Sequence, residues 1–138
     1  MPSAEAEISI PAAPETVWKV AGPFTGVADW HPAVGRVAKE ADGKQRRLHL
    51  LDGAEIVEAL LQHDESARAY SYRIVDAPLP VENYQALFHV DEDGAGGTIV
   101  RWTARFDVTG EEDSESVERT VQGIFESGLE HLKQLTAA

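Results

Sequence analysis

The amino-acid sequence predicts an α+β fold: a curved antiparallel sheet of about seven strands wrapped around one long C-terminal helix, with two short helices after the first strand. Three observations lead to this prediction. The chain opens with one alternating segment and two short helical ones, residues 35–110 are a succession of alternating segments cut by turn sequences, and the last part has helical periodicity. Because 138 residues is the size of one domain, we expect a single domain over residues 1–138.

The first strand and both short helices are predicted before Pro32. Residues 4–10 alternate between polar and apolar side chains, as in a strand with one buried face. Pro14 suits the first turn of a helix in PAAPETVWKV, and Gly22 and Pro23 end that helix. FTGVADW is typical of a second, shorter turn of helix, which must end before Pro32 because proline disfavours helical backbone at the preceding residue.

The region between Gly35 and Gly110 predicts an antiparallel meander with one apolar and one polar face. The alternation is clearest in residues 98–108. Aromatic side chains are concentrated on the apolar face, where they either line a ligand pocket or pack as a solid core. With Trp30 added from the corner WHPAV, the aromatic candidates for ligand contact are Trp30, Tyr70, Tyr72, Tyr84, Phe88, Trp102, Phe106 and Phe125.

The C-terminal segment predicts one long amphipathic helix that covers the apolar face of the sheet. Its apolar stripe contains Gly128, although glycine inside a helix costs roughly 1 kcal/mol relative to alanine. Two compensations are equally consistent with the sequence. Either the helix backbone approaches the sheet closely at Gly128, or the position leaves room for a ligand, and we include Gly128 among the ligand-binding candidates.

Composition excludes several classes of partner. Lys and Arg total 12 against 24 Asp and Glu, a formal charge of −12, so phosphate backbones and anionic lipid surfaces repel the chain. We therefore expect no nucleic-acid partner and no membrane insertion. The sequence has no cysteine, which fits a cytoplasmic location. MPSAEAEISI has no basic stretch and no long apolar run, so no signal peptide is expected.

Four stretches of the sequence resemble the START-like, or SRPBCC, superfamily. They are ISIPAAPETVWKV, WHPAV, YSYRIVDAPLPVENYQA and VRWTARFDV, which together extend over nearly the whole chain. This superfamily has the helix-grip fold of the major birch pollen allergen, and within it the chain is similar to the bacterial polyketide cyclase/dehydrase and lipid transport family. The resemblance implies a pocket between the sheet and the C-terminal helix that holds a hydrophobic small molecule.

Glu58 is the first candidate for proton transfer. The strand AEIVEALLQ can be placed in two phases. One phase directs Glu58 inward with Ile56 and Leu60, and the other, which is more apolar, directs Val57 inward and leaves Glu58 on the polar face. The resemblance favours the inward phase, since related sequences commonly carry a glutamate at this place in the fourth strand. A carboxyl group in an apolar pocket can serve as a general base.

Tyr84 and His31 complete the candidate catalytic set. Tyr84 supplies a hydroxyl on the apolar face of its strand. His31 titrates near neutral pH and, in the START-like fold, belongs to the segment beside the cavity entrance, where it can act as a proton shuttle. The alternative role for a histidine before proline is structural, capping carbonyl groups or stacking on Trp30.

The loop from Asp76 to Glu82 joins two strands through paired prolines with Leu79 between them. It is either a lid that places Leu79 over a cavity mouth or only a wide hairpin turn. The histidines show no metal-ligand spacing, and there is no phosphate-binding loop or nucleophile motif. We therefore expect neither a metal nor a cofactor.

The sequence supports three functions in decreasing order. The first is binding of a hydrophobic small molecule, aromatic, polyketide-like or lipid-like. The second is an enzyme of the polyketide cyclase/dehydratase type, in which Glu58, Tyr84 and His31 transfer protons. The third, an acidic module that binds a protein partner and no ligand, leaves the concentration of aromatic residues on the covered face unexplained.

Overall fold

The computed structural model describes residues 2–137 and confirms the predicted α+β helix-grip architecture. A seven-stranded antiparallel sheet carries a long C-terminal helix on one face. The second short helix is a 3₁₀ helix. The elements in chain order are β1 (Ser3–Ile10), α1 (Pro14–Ala21), a 3₁₀ helix (Phe24–Asp29), β2 (Val34–Glu40), a 3₁₀ turn (Ala41–Gly43), β3 (Gln45–Leu50), β4 (Glu55–Asp64), β5 (Ala69–Asp76), β6 (Val81–Glu92), β7 (Thr98–Val108) and α2 (Ser114–Thr136).

The strand order is β1-β7-β6-β5-β4-β3-β2, so strands β2 to β7 form a continuous meander and β1 pairs with the last strand. In the β1–β7 pair, Ala6 lies opposite Trp102. Because β1 and β2 occupy opposite edges of the sheet, the segment between them must cross from one edge to the other. This crossing segment contains α1 and the 3₁₀ helix, which contact α2 and the β2–β3 edge respectively.

The core lies between α2 and the inner face of the sheet. In β7, alternate residues from Val100 to Phe106 are buried, as their period of two predicts. The three- and four-residue spacing predicts an apolar stripe of α2 made of Val117, Val121, Ile124, Phe125, Gly128, Leu132 and Leu135. Its members from Val117 to Leu132 are buried or partly buried, but Leu135 is 48% exposed, and Leu129, outside the predicted stripe, is buried. Among the described residues, no helix combines the length and apolar character needed to cross a membrane.

Gly128 lies where α2 comes nearest to the sheet and to the corner after the 3₁₀ helix. A β-carbon at this position would stand 2.5 Å from Cδ2 of His31 and 3.1 Å from Cζ3 of Trp102. These distances correspond to the first of the two compensations expected for a glycine here, a close approach of the helix backbone. Gly128 does not line the cavity described below.

Candidate ligand-binding site

A cavity of about 70 Å³ lies between the sheet, the 3₁₀ helix and α2. Its walls are mainly aliphatic and aromatic side chains, and few polar groups reach it. Such a composition is typical of sites for small apolar ligands. The lining residues are Val27, His31, Ala33, Val34, Arg46, Leu48, Leu50, Ile56, Glu58, Tyr72, Ile74, Leu79, Tyr84, Trp102, Val121, Ile124 and Phe125.

The cavity has a buried inner end and a half-exposed mouth. Leu50, Ile74, Leu79 and Ile124 line the cavity but are each only partly buried, so they mark its mouth. Leu79 belongs to the loop between β5 and β6, and Ile124 to α2. The side chain of Leu79 therefore lies where a lid residue would have to lie, although it is half-buried rather than fully exposed.

A buried ion pair forms the polar part of the cavity wall. Arg46 on β3 and Glu58 on β4 are directly opposite in the antiparallel register. The Nε and Nη2 groups of Arg46 lie 2.8 and 2.7 Å from the same carboxylate oxygen, Oε1 of Glu58. The two side chains are 1% and 7% exposed. Burial raises the pKa of Glu58, and the charge and hydrogen bond of Arg46 oppose that shift.

Arg46 is also held by the crossing segment and by aromatic rings. Its Nη1 group donates to the backbone oxygen of Phe24 at 2.7 Å. The guanidinium carbon lies 4.1 Å from the ring centroid of Phe24 and 4.8 Å from that of Tyr72, within the range of cation–π contacts. The charge is thus compensated by Glu58, a carbonyl and two rings, which is what a fully buried guanidinium requires.

The position of Glu58 corrects the interpretation that the strand pattern favoured. Glu58 is 5% exposed and faces the cavity together with Ile56. Val57 is buried too, but it lies outside the main core cluster. The more apolar phase is therefore not the inward one, and the resemblance predicted the orientation correctly. An inward charge is tolerated because Arg46 on the next strand neutralises it.

Arg46 is the charged residue of the site that the sequence analysis missed; aliphatic lining residues such as Val27 and Val121 were not predicted as ligand contacts either. The strand QRRLHL contains a signal for it, because Arg46 shares its alternation phase with Leu48 and Leu50, which both line the cavity. An arginine in that phase implies a buried partner. Glu58 has the matching place in the next strand.

Tyr72, Tyr84 and Trp102 line the cavity together with the ion pair. The indole Nε1 of Trp102 donates to the Tyr72 hydroxyl at 3.0 Å. Burial raises the pKa of both tyrosines, and the negative charge of Glu58 adds to the shift, so both are neutral donors at physiological pH.

His31 is 4% exposed and both of its ring nitrogens are engaged. Nε2 donates to the backbone oxygen of Ile124 at 2.8 Å, and Nδ1 accepts a hydrogen bond from the backbone N–H of Ala33 at 3.2 Å. Burial lowers the pKa of the imidazole, which keeps it neutral. This arrangement corresponds to the structural alternative for His31: the side chain ties the corner after the 3₁₀ helix to α2, and neither nitrogen is free for proton exchange with a ligand.

The candidate ligand contacts divide into two groups. Tyr72, Tyr84, Trp102, Phe125 and Leu79 line the cavity. The others belong to the packed core or to the helix contact and do not line it; they are Trp30, Tyr70, Phe88, Phe106 and Gly128.

Packing of aromatic rings on one another accounts for the second group. The ring of Trp30 lies 5.5 Å from those of Phe88 and Trp102, and Phe106 stacks on Tyr84 at 5.6 Å. The inner face of the sheet is therefore part pocket and part solid core.

Within residues 2–137, no three His, Cys, Asp or Glu side chains are grouped so as to hold a metal ion.

The chain matches one protein-family model, and its fold is similar to those of several solved structures. A family model described as polyketide cyclase / dehydrase and lipid transport matches residues 1–136. The protein XoxI from Bacillus cereus has a structure similar to this one, with 31% sequence identity and a TM-score of 0.95, and the alignment covers 99% of this chain and 96% of that one. No curated protein sequence is significantly similar to the chain.

Two further solved structures share the fold at lower identity. A START superfamily protein from Mycobacterium smegmatis has 15% identity and a TM-score of 0.80, with 99% and 97% of the two chains aligned. The Zhui aromatase/cyclase from Streptomyces sp. R1128 has 17% identity and a TM-score of 0.78, with 97% and 92% aligned. At these identities the similarity concerns the fold alone.

Proposed function

Because the chain belongs to the polyketide cyclase/dehydrase and lipid transport family of the START-like superfamily, we propose that it binds a hydrophobic small molecule between the sheet and α2. The ligand is aromatic, polyketide-like or lipid-like. One observation carries the proposal: an apolar cavity extends from half-exposed residues at its mouth to a buried ion pair inside. We further propose that residues 1–138 act as one ligand-binding domain in the cytoplasm, which the absence of cysteine supports.

The cavity volume limits what enters without movement. An engineered apolar cavity of about 150 Å³ is known to hold benzene, and the cavity found here has about half that volume, about 70 Å³. A ligand with one aromatic ring or more therefore requires side chains at the mouth to move outward. Leu79 is the clearest candidate, since it belongs to a loop and not to a strand or helix. We propose that the loop acts as a lid.

Propylbenzene is a suitable first probe because it has one ring, a short alkyl chain and no polar group. Titration followed by protein NMR is expected to give saturable shifts at cavity residues. Ile56→Phe fills part of the cavity and is expected to weaken binding at least tenfold. Leu87→Phe is the matched control, since Leu87 is 46% exposed and does not line the cavity, and it is expected to bind like the unmodified protein.

Unsaturable shifts in the unmodified protein, or equal affinity of the Ile56→Phe and Leu87→Phe variants, would contradict the proposal. NMR spectra of the free variants serve as the folding control.

A second candidate function is an enzyme of the polyketide cyclase/dehydratase type that uses no cofactor. It is favoured by the carboxylate of Glu58, which shares the cavity wall with the hydroxyl of Tyr84. A buried carboxylate beside a bound aryl ketone can remove an acidic C–H proton.

Deuterium incorporation into an aryl methyl ketone in D₂O tests this function. The enzyme hypothesis predicts that the Glu58→Gln variant loses about 10²–10⁴-fold in exchange rate. Exchange at the rate of the protein-free solution would count against it.

A further inference from the structure

The hydrogen-bonding capacity of Arg46 is almost fully used within the protein. Nε and Nη2 both donate to Oε1 of Glu58, and Nη1 donates to the backbone oxygen of Phe24. Nη1 also lies 3.5 Å from the Tyr70 hydroxyl, and aromatic rings pack on the guanidinium. No pair of parallel N–H groups remains for a ligand carboxylate, which binds arginine best through two such bonds. The cation at the cavity is therefore not an anion site.

The carboxylate of Glu58, in contrast, accepts hydrogen bonds at only one of its two oxygens. Both donors of Arg46 are directed at Oε1, and Oε2 accepts no hydrogen bond from residues 2–137. Among the described residues, the only fully buried side-chain polar atom without a hydrogen-bond partner is Nε1 of Trp30. Oε2 of Glu58 is therefore accessible to a water-sized molecule, and the space beside it is the cavity that Glu58 lines. A carboxylate oxygen in an apolar cavity is a strong acceptor, and it is costly to leave unpaired.

Tyr84 adds a donor to the same wall. Tyr84 lines the cavity, and burial raises its pKa, so the phenol group keeps its proton. A protonated phenol can donate one hydrogen bond. The cavity thus presents one acceptor, Oε2 of Glu58, and one donor, the hydroxyl of Tyr84, within otherwise apolar walls.

We infer that the cavity selects neutral ligands that carry a hydroxyl group on an apolar body, phenols being the simplest, and discriminates against carboxylates. A hydroxyl can donate to Glu58 Oε2 and accept from Tyr84 at once. A carboxylate offers no proton to Glu58 and brings a second negative charge next to it. This inference rests on the proposed function, because it concerns which hydrophobic molecules bind in the same cavity.

Three compounds matched to propylbenzene test the selectivity by NMR titration: 4-propylphenol, 4-propylanisole and 4-propylbenzoate. The anisole has the oxygen of the phenol but no proton to donate. We expect 4-propylphenol to bind at least tenfold more tightly than 4-propylanisole, the effect of one hydrogen bond to a charged group, and 4-propylbenzoate to bind most weakly.

The double variant Arg46→Met/Glu58→Leu removes the acceptor together with its counter-ion. In this variant the ratio of phenol to anisole affinity is expected to fall to about one. Because that variant alters two buried residues, the comparison of compounds on the unmodified protein stands as an independent measurement.

The outcomes separate the two proposals. Binding of propylbenzene with equal affinities for the phenol and the anisole, or with preferred binding of the benzoate, overturns the hydroxyl inference and leaves the proposed function intact. Binding of none of the four compounds overturns the proposed function, and this inference with it.

Discussion

Replacement of Arg46 by methionine is expected to lower the free energy of unfolding by about 3–5 kcal/mol, because it leaves the carboxylate of Glu58 buried without a counter-charge. A domain of this kind is stable by only about 5–15 kcal/mol in total, so the loss is severe. The double variant Arg46→Met/Glu58→Leu removes both charges, and we expect it to recover most of that loss. Urea unfolding of the three proteins measures both effects.

Arg101→Met is the matched control for this prediction. Arg101 also donates to a carboxylate at 2.7 Å, that of Glu7, but the two side chains are 41% and 49% exposed. Water screens such a pair, so the variant is expected to differ from the unmodified protein by no more than about 1 kcal/mol. Equal losses in Arg46→Met and Arg101→Met, or a double variant no more stable than Arg46→Met, would be evidence against a tightly coupled buried pair.

The second large effect is expected at Gly128. Alanine is normally the better helix former by about 1 kcal/mol. Here its β-carbon would stand 2.5 Å from Cδ2 and 2.9 Å from Nε2 of His31. His31 cannot move aside without losing its hydrogen bond to Ile124, so Gly128→Ala is expected to destabilise the protein by about 1–3 kcal/mol.

Gly123 lies in the same helix and supplies the control. Nothing stands within 4 Å of a β-carbon at Gly123, and the residue is exposed. The Gly123→Ala variant is therefore expected to gain about 0.4–1 kcal/mol. Thermal and urea unfolding of both variants test the prediction. If both substitutions change stability in the same direction, the close approach at Gly128 is not what determines the choice of glycine.

The architecture was predictable from the sequence because periodicity reports burial directly. Alternate residues of β7 and the three- and four-residue spacing in α2 each mark one buried face. The glycine in the stripe of α2 also signalled an unusual contact. The sequence could not distinguish a contact with the sheet from a contact with a ligand, since both require a residue without a side chain at this position of the helix.

The orientation of Glu58 illustrates what a single-strand pattern lacks. Counting apolar residues along AEIVEALLQ ranks Glu58 as outward, because the count treats its charge as uncompensated. The compensating group is Arg46, twelve positions earlier on a different strand, and only the strand register brings the two together. Likewise, Phe88 and Tyr72 share the same face of the sheet, yet only the second lines the cavity. That division depends on where α2 and the crossing segment pack.

The most direct test of ligand binding in this cavity is to locate bound propylbenzene by intermolecular nuclear Overhauser effects. The proposal predicts contacts from the probe to Ile56, Tyr72 and Val121, on the two sides of the cavity, and none to the exposed Leu87. Contacts confined to exposed apolar side chains, with none to the cavity wall, would contradict the proposed function.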